Sequence, residues 1–325
     1  MIYNSCLERV LKEMQEELLS SHKLSLFTKA FERISDRYRK ETGFFLQTEE
    51  ERLAYLFTRL PSTFAVACRV FQELKQRAPD LEVHSLLDVG AGPGTGMWAA
   101  IEEFQSLQKG TFIEKDASFA SLGKQLIDRS ANPFLQKASW HLMDMKEIVN
   151  SEPHDVTLLS YSIGEVKEEH WKKLLSNLWG STEKALVIIE PGTPGGYHRM
   201  MKIRDFLQNE CSAYLWAPCP HSKPCPLSKE DWCHFSTRVQ RSSLHKQLKS
   251  AELGYEDEKF CYLIFGKQKA ASFSKRILRH PMKHTGFIEV TVCEEEGIVQ
   301  KKIYSKKNKE IYRDIKKLNW GDVIV

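Results

Sequence analysis

The chain has 325 residues, of which 42% are hydrophobic, 28% charged and 10% aromatic; this excludes a disulfide-stapled mini-protein, a collagen-like repeat and a disordered chain. The formal net charge of +4 is small, yet residues 271–325 hold 12 Lys/Arg against 7 Asp/Glu, so the positive excess is a property of the tail. No apolar run approaches the roughly 18 residues of a membrane span, and the start MIYNSCLERVLKEMQEELL has neither the apolar stretch of an export signal nor the acid-poor composition of a transit peptide. A cytoplasmic protein with reduced thiols and no membrane partner is expected.

Residues 1–82 read as a helical N-terminal region, because CLERVLKEMQEELL, ERLAYLFTRL and TFAVACRVFQELKQR carry apolar residues at spacings of three and four. Pro61-Ser62-Thr63 separates the last two segments, with Ser62 or Thr63 available as an N-cap. Arg52, Tyr55, Arg59 and Arg69 read as a solvated face without a role.

From 83 to 270 strands alternate with helices, which predicts an α/β fold with a parallel sheet and crossover helices. The predicted strands are 85–89, 110–115, 139–144, 155–162, 185–191 and 259–267, and TGMWAAIEEF, SFASLGKQLIDRS, EEHWKKLLSNLWGS and RMMKIRDFLQNECSAYL are predicted helices. A cysteine-rich insertion covers 211–235, and RVQRSSLHKQLKSAELGYEDEK reads as an amphipathic helix with Arg238, Arg241, His245, Lys246 and Lys249 on its polar positions. Residues 271–325 form a small, basic, β-rich C-terminal region, in which KEIYRDI is one of the β-like runs.

The segment from Leu86 to Gly96, LLDVGAGPGTG, joins a buried strand to a helix. Glycines let a ligand lie against the main chain where the helix start presents free N–H groups. Neither register of a dinucleotide-binding G-x-G-x-x-G loop is met, since Thr95 or Met97 would fall at the third glycine. Asp88, Gly90, Gly92 and Gly94 instead resemble the Asp-x-Gly-x-Gly-x-Gly loop of class I methyltransferases, which binds S-adenosylmethionine. Glu114 ends the next strand, where such folds place a carboxylate for ribose hydroxyls, and Asp144 ends the third, near the expected adenine.

Methyl transfer calls for alignment and handling of a proton at the carboxyl ends of strands four and five. Those ends read Ser160-Tyr161-Ser162-Ile163-Gly164-Glu165 and Glu190-Pro191-Gly192-Thr193, so Glu165 and Glu190 are the catalytic candidates, with helix capping as the plain alternative. The Asn-Pro-Pro-Tyr-like loop of amino-methylating enzymes is absent, and Pro218-Cys219 lies too late in the chain for the cysteine nucleophile of cytosine-C5 methylases.

Of eight cysteines, Cys219, Cys225 and Cys233 cluster in a loop stiffened by Pro218, Pro220, Pro224 and Pro226. Their spacing lacks the short knuckle usual for zinc. It suits thiolates spread round an iron–sulfur cluster, with zinc aided by His221 or His234 as the alternative. A fourth thiolate could come from Cys293, Cys261 or Cys211.

Together LLDVGAGPGTGMWA, IIEPGTPGGY, APCPHSKPCPL, DWCHF and RSSLHKQLKSAELGYEDEKF resemble the methyltransferase-like assembly factors of the mitochondrial small ribosomal subunit, a family with bacterial members. The resemblance implies a class I methyltransferase fold that binds S-adenosylmethionine, a [4Fe-4S] cluster on Cys219, Cys225, Cys233 and Cys293, and association with small-subunit rRNA and the small ribosomal subunit. Methylation of rRNA is the activity it points to. The alternatives are a non-catalytic iron–sulfur assembly factor and a zinc-containing methyltransferase of another substrate. Lys275, Arg276, Arg279, Lys283, Lys301, Lys302, Lys306, Lys307 and Lys309 are the tail cations available to phosphates, and Tyr304 and Tyr312 could stack on bases.

Overall fold

The computed structural model of the chain describes residues 5–20, 27–34, 48–149, 151–228, 230–249, 252–270 and 272–324. Within them the N-terminal region is helical: α1 (Cys6–Ser20), α2 (27–34), α3 (Glu49–Thr58) and α4 (Leu60–Arg77). Thr48 caps α3 by accepting from the Glu51 N–H at 3.2 Å, ahead of three acidic residues that suit the positive end of the helix dipole. The expected cap on α4 is not Ser62 or Thr63. Arg59 occupies that position with Pro61 in the first turn, while the Ser62 hydroxyl donates to Glu256 at 2.7 Å.

The strand–helix alternation follows as β1 (Ser85–Val89), α5 (Thr95–Glu103), β2 (Lys109–Glu114), α6 (Ala117–Ser130), α7 (Pro133–Lys137), β3 (Ser139–Leu142), β4 (His154–Ser160), α8 (Trp171–Ser181), β5 (Thr182–Pro191) and α9 (Pro194–Glu210). Next come β6 (Tyr214–Ala217), β7 (Phe235–Gln240), α10 (Ser243–Leu248) and β8 (Tyr255–Gly266). The sheet order is β3-β2-β1-β4-β5-β8-β6, with β7 on β8; β1 to β5 are parallel, and β8 runs antiparallel to β5, β6 and β7. That order reverses between β1 and β4, which opens a crevice beyond the carboxyl ends of these strands.

The central strands are apolar on both sides, as burial under two helical layers requires. On one face Phe64, Val70 and Phe71 of α4 share a core with Trp98 of α5 and Leu126 of α6. On the other, Leu174 and Leu178 of α8 pack with Ile203 and Leu207 of α9. The N-terminal helices are thus part of the sheet's own core.

Two segments depart from expectation. Residues 238–240 belong to β7 and 255–258 to β8, paired as Arg238↔Asp257 and Val239↔Glu256, so the predicted amphipathic helix reduces to α10. Beyond β8 a second sheet forms from β9 (Lys275–Ile277), β10 (Met282–Lys283), β11 (Phe287–Glu294), β12 (Val299–Ser305) and β13 (Val323–Ile324). There KEIYRDI is helix α11 (Lys309–Ile315), capped by Asn308, and its Ile315 closes a small core of Ile277, Ile288, Val290 and Val292.

Candidate cofactor and metal sites

The glycine loop turns sharply after β1, and Gly90 and Gly92 hold φ of +68° and +54°, a region that L side chains rarely adopt. The Gly90 and Ala91 N–H groups donate to the Ile113 carbonyl at 2.8 and 3.0 Å, which locks the loop to β2. A Cβ on Gly92 would meet nothing within 4 Å, so the loop's main chain stands open to the crevice. Gly96, which the motif reading left out, matters differently. A Cβ there would lie 2.2 Å from Leu158 Cδ2 and 2.7 Å from Asp88 Oδ2, so only glycine lets the start of α5 meet the Asp88 carboxylate. That carboxylate accepts from the Met97 N–H at 3.2 Å, and burial pushes its carboxyl up to about 7.

Glu114 is held from both sides: its Oε2 accepts from Gly92 N–H at 2.7 Å and its Oε1 from Asp116 N–H at 2.8 Å. Burial pushes its carboxyl up against those two bonds. A cavity of about 520 Å³ lies over this frame and is lined by Asp88, Gly90, Gly92 and Glu114 of the expected site. Met143 and Met145 also line it, whereas Asp144 between them does not; its carboxylate caps the following turn by accepting from Lys146 N–H at 3.0 Å. Gly94 is likewise outside the lining, under the Phe112 ring.

Of the catalytic candidates, Glu165 lines the cavity and is paired with Lys115 at 2.7 Å. Glu190 does not line it. It is 1% exposed, bonded to Arg199 Nε at 2.7 Å, and burial pushes its carboxyl up to about 7. Ser162 donates to the Val89 carbonyl at 3.0 Å and so ties the end of β4 to the glycine loop. Tyr55, Arg59 and Thr63 supply a further wall from α3 and α4, a contribution that the reading of Tyr55 and Arg59 as a solvated face missed.

The cysteine loop lies between the two sheets, and Cys219, Cys225, Cys233 and Cys293 line one small cavity together with His221 and Cys261. Cys293 Sγ is 3.4 Å from His221 Nε2, and the Tyr197 hydroxyl donates to Cys225 Sγ at 3.3 Å. Cys261 is on the sheet side, its thiol donating to the Cys233 carbonyl at 3.1 Å. Cys211 and His234 are outside the lining. Burial pushes the thiols of Cys219 and Cys233 up, and that of Cys293 up to about 12. Among the described residues no group of three His, Cys, Asp or Glu converges closely enough to hold one metal ion.

Two buried arginines brace this loop. Arg204 of α9 donates to the His221 and Lys223 carbonyls at 3.4 and 2.5 Å. Arg276 of β9 donates to the Pro218 carbonyl at 2.8 Å and, through both terminal nitrogens, to Glu73 of α4 at 2.6 and 3.1 Å. Arg276 is 1% exposed, so it is a structural clamp and not a phosphate ligand.

Other cations of the predicted amphipathic helix and of the tail are also paired within the chain. Arg238 pairs with Asp257, Arg241 and Lys249 with Glu256, Arg279 with Asp231, Lys301 with Glu289, and Lys302 with Glu294. His245 is buried, which drives its ring down to about 4. Lys283, Lys306, Lys307 and Lys309 remain exposed on the tail, while Tyr304 and Tyr312 pack against the tail's core.

The sheet order, the glycine loop and the Glu114 frame define a class I methyltransferase-like protein. The sequence profile described as "Rsm22: Mitochondrial small ribosomal subunit Rsm22" matches residues 49–325, and the chain belongs to that family. It is similar to the human "Ribosome assembly protein METTL17, mitochondrial", with 26% identity over 294 residues that cover 85% of this chain and 63% of that protein. It is also similar to "Rsm22-cox11 tandem protein 2, mitochondrial" of Schizosaccharomyces pombe, at 22% identity over 85% of this chain and 43% of that protein. The chain thus spans roughly half to two thirds of the length of these relatives.

Among solved structures, a putative RNA methyltransferase from Pyrococcus horikoshii has 13% identity and a TM-score of 0.41, covering 62% of this chain and 81% of its own. Magnesium protoporphyrin IX methyltransferase from Synechocystis PCC 6803 with bound SAH has 11% identity and a TM-score of 0.42, covering 72% and 93%. The expected cytoplasmic location is overturned: the family and the relatives named above are mitochondrial. The expectation rested on reduced thiols, on the lack of an export signal and on a start too acidic for a transit peptide; the first two do not separate cytosol from mitochondrial matrix, and the composition of the first residues does not decide between them. No helix among the described residues is long and apolar enough to cross a membrane.

Proposed function

We propose that this chain serves assembly of the mitochondrial small ribosomal subunit, binding its rRNA through the exposed tail lysines and S-adenosylmethionine in the cavity over the glycine loop. The observation that carries the reading is the match to the family over 49–325, which takes in the whole cofactor frame and the cysteine loop. The cavity suits the cofactor chemically: Gly92 leaves the main chain open, and Glu114 is fixed by two N–H groups with its remaining lone pairs available to ribose hydroxyls. When bound, S-adenosylmethionine supplies an electrophilic methyl group. Glu165 is the lining carboxylate available to a proton there, and Lys115 holds it in place.

One set of contacts favours a second, non-catalytic reading. Around the expected transfer position Ser162 is bonded to Val89, Glu165 is paired with Lys115 and Glu190 is withdrawn beside Arg199, so each of these three side chains already has a partner within the fold. Labelled methyl transfer to small subunits from cells lacking the protein separates the two. Incorporation into rRNA supports catalysis, and rRNA crosslinking without incorporation supports the structural role. A protein that neither crosslinks to rRNA nor sediments with the small subunit contradicts both.

We infer further that Cys219, Cys225, Cys233 and Cys293 hold a four-iron, four-sulfur cluster. Their thiols line one cavity in which, among the described residues, no group of three donors is placed to hold a single ion such as zinc, and a polynuclear cluster spreads its ligands wider. Iron and sulfide in anaerobically purified protein, lost in Cys225→Ser, are expected. Zinc without iron would remove the cluster.

A further inference from the structure

Tyr304 and Tyr312, the rings expected to stack on bases, pack against the core of the second sheet, and the tail exposes a different ring pair. The face opposite that core carries Phe287, Glu289, Thr291 and Cys293 along β11, because alternate residues of a strand share a face. At the Cys293 end this face closes on the cysteine loop, and at the Phe287 end it runs out towards solvent. There the register sets exposed Met282 of β10 and exposed Ile303 of β12 on either side of Glu289, whose carboxylate is matched by Lys301 at 2.9 Å.

The β10–β11 hairpin ends this face. The His284 N–H donates to the Phe287 carbonyl at 2.9 Å across the Thr285-Gly286 turn, and the Gly286 carbonyl accepts from the Lys306 N–H at 2.9 Å, so the hairpin is tied to the end of β12. The His284 ring lies flat on the half-buried Phe287 ring, with centroids 4.3 Å apart and planes 20° from parallel, while His284 itself is exposed. The turn after β12 is fixed as well: the Ser305 carbonyl accepts from the Asn308 N–H at 3.1 Å, and the Ser305 hydroxyl from the Lys307 N–H at 3.3 Å. Lysines gather at this end. Residues 282–288 and 303–310 carry exposed Lys283, Lys306, Lys307 and Lys309 against the single acid Glu310, and Lys306 lies 5.9 Å over the Tyr312 ring.

We propose that the His284–Phe287 pair is a stacking platform for an unpaired base of the small-subunit rRNA, with Lys283, Lys306 and Lys307 meeting the phosphates beside it. Bases inside a duplex already stack on one another, so a protein ring reaches a base only in a loop, bulge or single-stranded end. A histidine backed by a phenylalanine offers a flat ring held in place before the base arrives, so little side-chain freedom is lost on binding. The surplus of lysines over acids around the rings matches a polyanion, which favours RNA over a protein at this face. The inference rests on the reading that the chain binds small-subunit rRNA, and it names the form of the RNA and the side chains that hold it.

Fluorescence anisotropy of the full chain with two labelled probes tests it: a short single strand of alternating adenosine and cytidine, and the duplex of that strand with its complement. Wild-type protein should prefer the single strand. In His284→Ala the affinity for the single strand should fall by about fivefold to a hundredfold, the scale of one base stacked on one ring, with duplex affinity changed less than about twofold. His284→Tyr, which restores an aromatic ring, should recover most of that loss, and unchanged duplex binding reports that each variant is folded. Single-strand affinity unaltered in His284→Ala, or lowered equally with that for the duplex, overturns the platform while the rRNA reading stands. If His284→Ala keeps its single-strand affinity but no longer sediments with the small subunit, the rings meet a ribosomal protein and the proposal fails. Wild-type protein that binds neither probe overturns the rRNA reading and this inference together.

Discussion

Replacing Arg276 by Met should be the most costly single change in the part of the molecule that holds the cysteine loop. The guanidinium is buried and donates to Glu73 at 2.6 and 3.1 Å, to the Pro218 carbonyl at 2.8 Å and to the Gly321 carbonyl at 2.6 Å. Met fills the space but leaves a buried carboxylate and two carbonyls short of donors. Removing one partner of a buried pair costs about 3 to 5 kcal/mol. Because Arg77 at 3.3 Å and Arg69 at 3.8 Å still face Glu73, the lower end, about 3 kcal/mol, is expected.

Urea unfolding followed by tryptophan fluorescence reads this as a lower midpoint with an unchanged slope. Glu73→Gln/Arg276→Met should recover at least about 1 kcal/mol, because the orphaned charge is gone. The pH dependence has a definite sign. Although burial raises the Glu73 carboxyl, Arg276 and its neighbours hold it below the usual value, so its contribution is present at neutral pH and is lost as pH falls through the acid range. In Arg276→Met that loss should begin at higher pH. A cost below about 1 kcal/mol would refute the clamp.

Asp88 works in the opposite direction. Its carboxyl is raised from 3.8 to about 7 in the folded protein, so the ligand-free protein should lose stability as pH rises between these values, and Asp88→Asn should flatten that part of the urea-midpoint profile. Gly96→Ala should destabilise the fold by about 1 to 3 kcal/mol and abolish calorimetric binding of S-adenosylmethionine, since its Cβ would strike Leu158 and Asp88. Replacing Lys306, Lys307 and Lys309 together by Ala should lower rRNA affinity and reduce the log–log salt slope by roughly 2 to 3, while Arg238→Ala leaves the slope unchanged. Equal effects of the two changes would contradict the assignment of the RNA face.

Much of the candidate site over the glycine loop was legible because its determinants are local. The spacing of Asp88, Gly90 and Gly92 fixes a strand–turn–helix, and the next strand brings Glu114 to it within 22 residues of Gly92. Gly96 could have been found from the same segment by asking what lets a helix start approach Asp88. The remaining features depend on partners far along the chain. Arg276 meets Glu73 across 203 residues, and Arg59 lines the cavity where Tyr55 of α3 packs against Phe119 of α6. The segment from Arg238 to Lys249 misled for the same reason. Its cations look like a helical polar face until β7 and β8 pair and set them against Asp257 and Glu256.

Cofactor binding in the cavity formed by the glycine loop and Glu114 is tested most directly by calorimetric titration of the full chain with S-adenosylmethionine. One molecule should bind per chain in the wild type, and Glu114→Gln should weaken binding at least about tenfold by replacing a charged acceptor. Folded wild-type protein that gives no heat of binding with S-adenosylmethionine or S-adenosylhomocysteine would contradict the account.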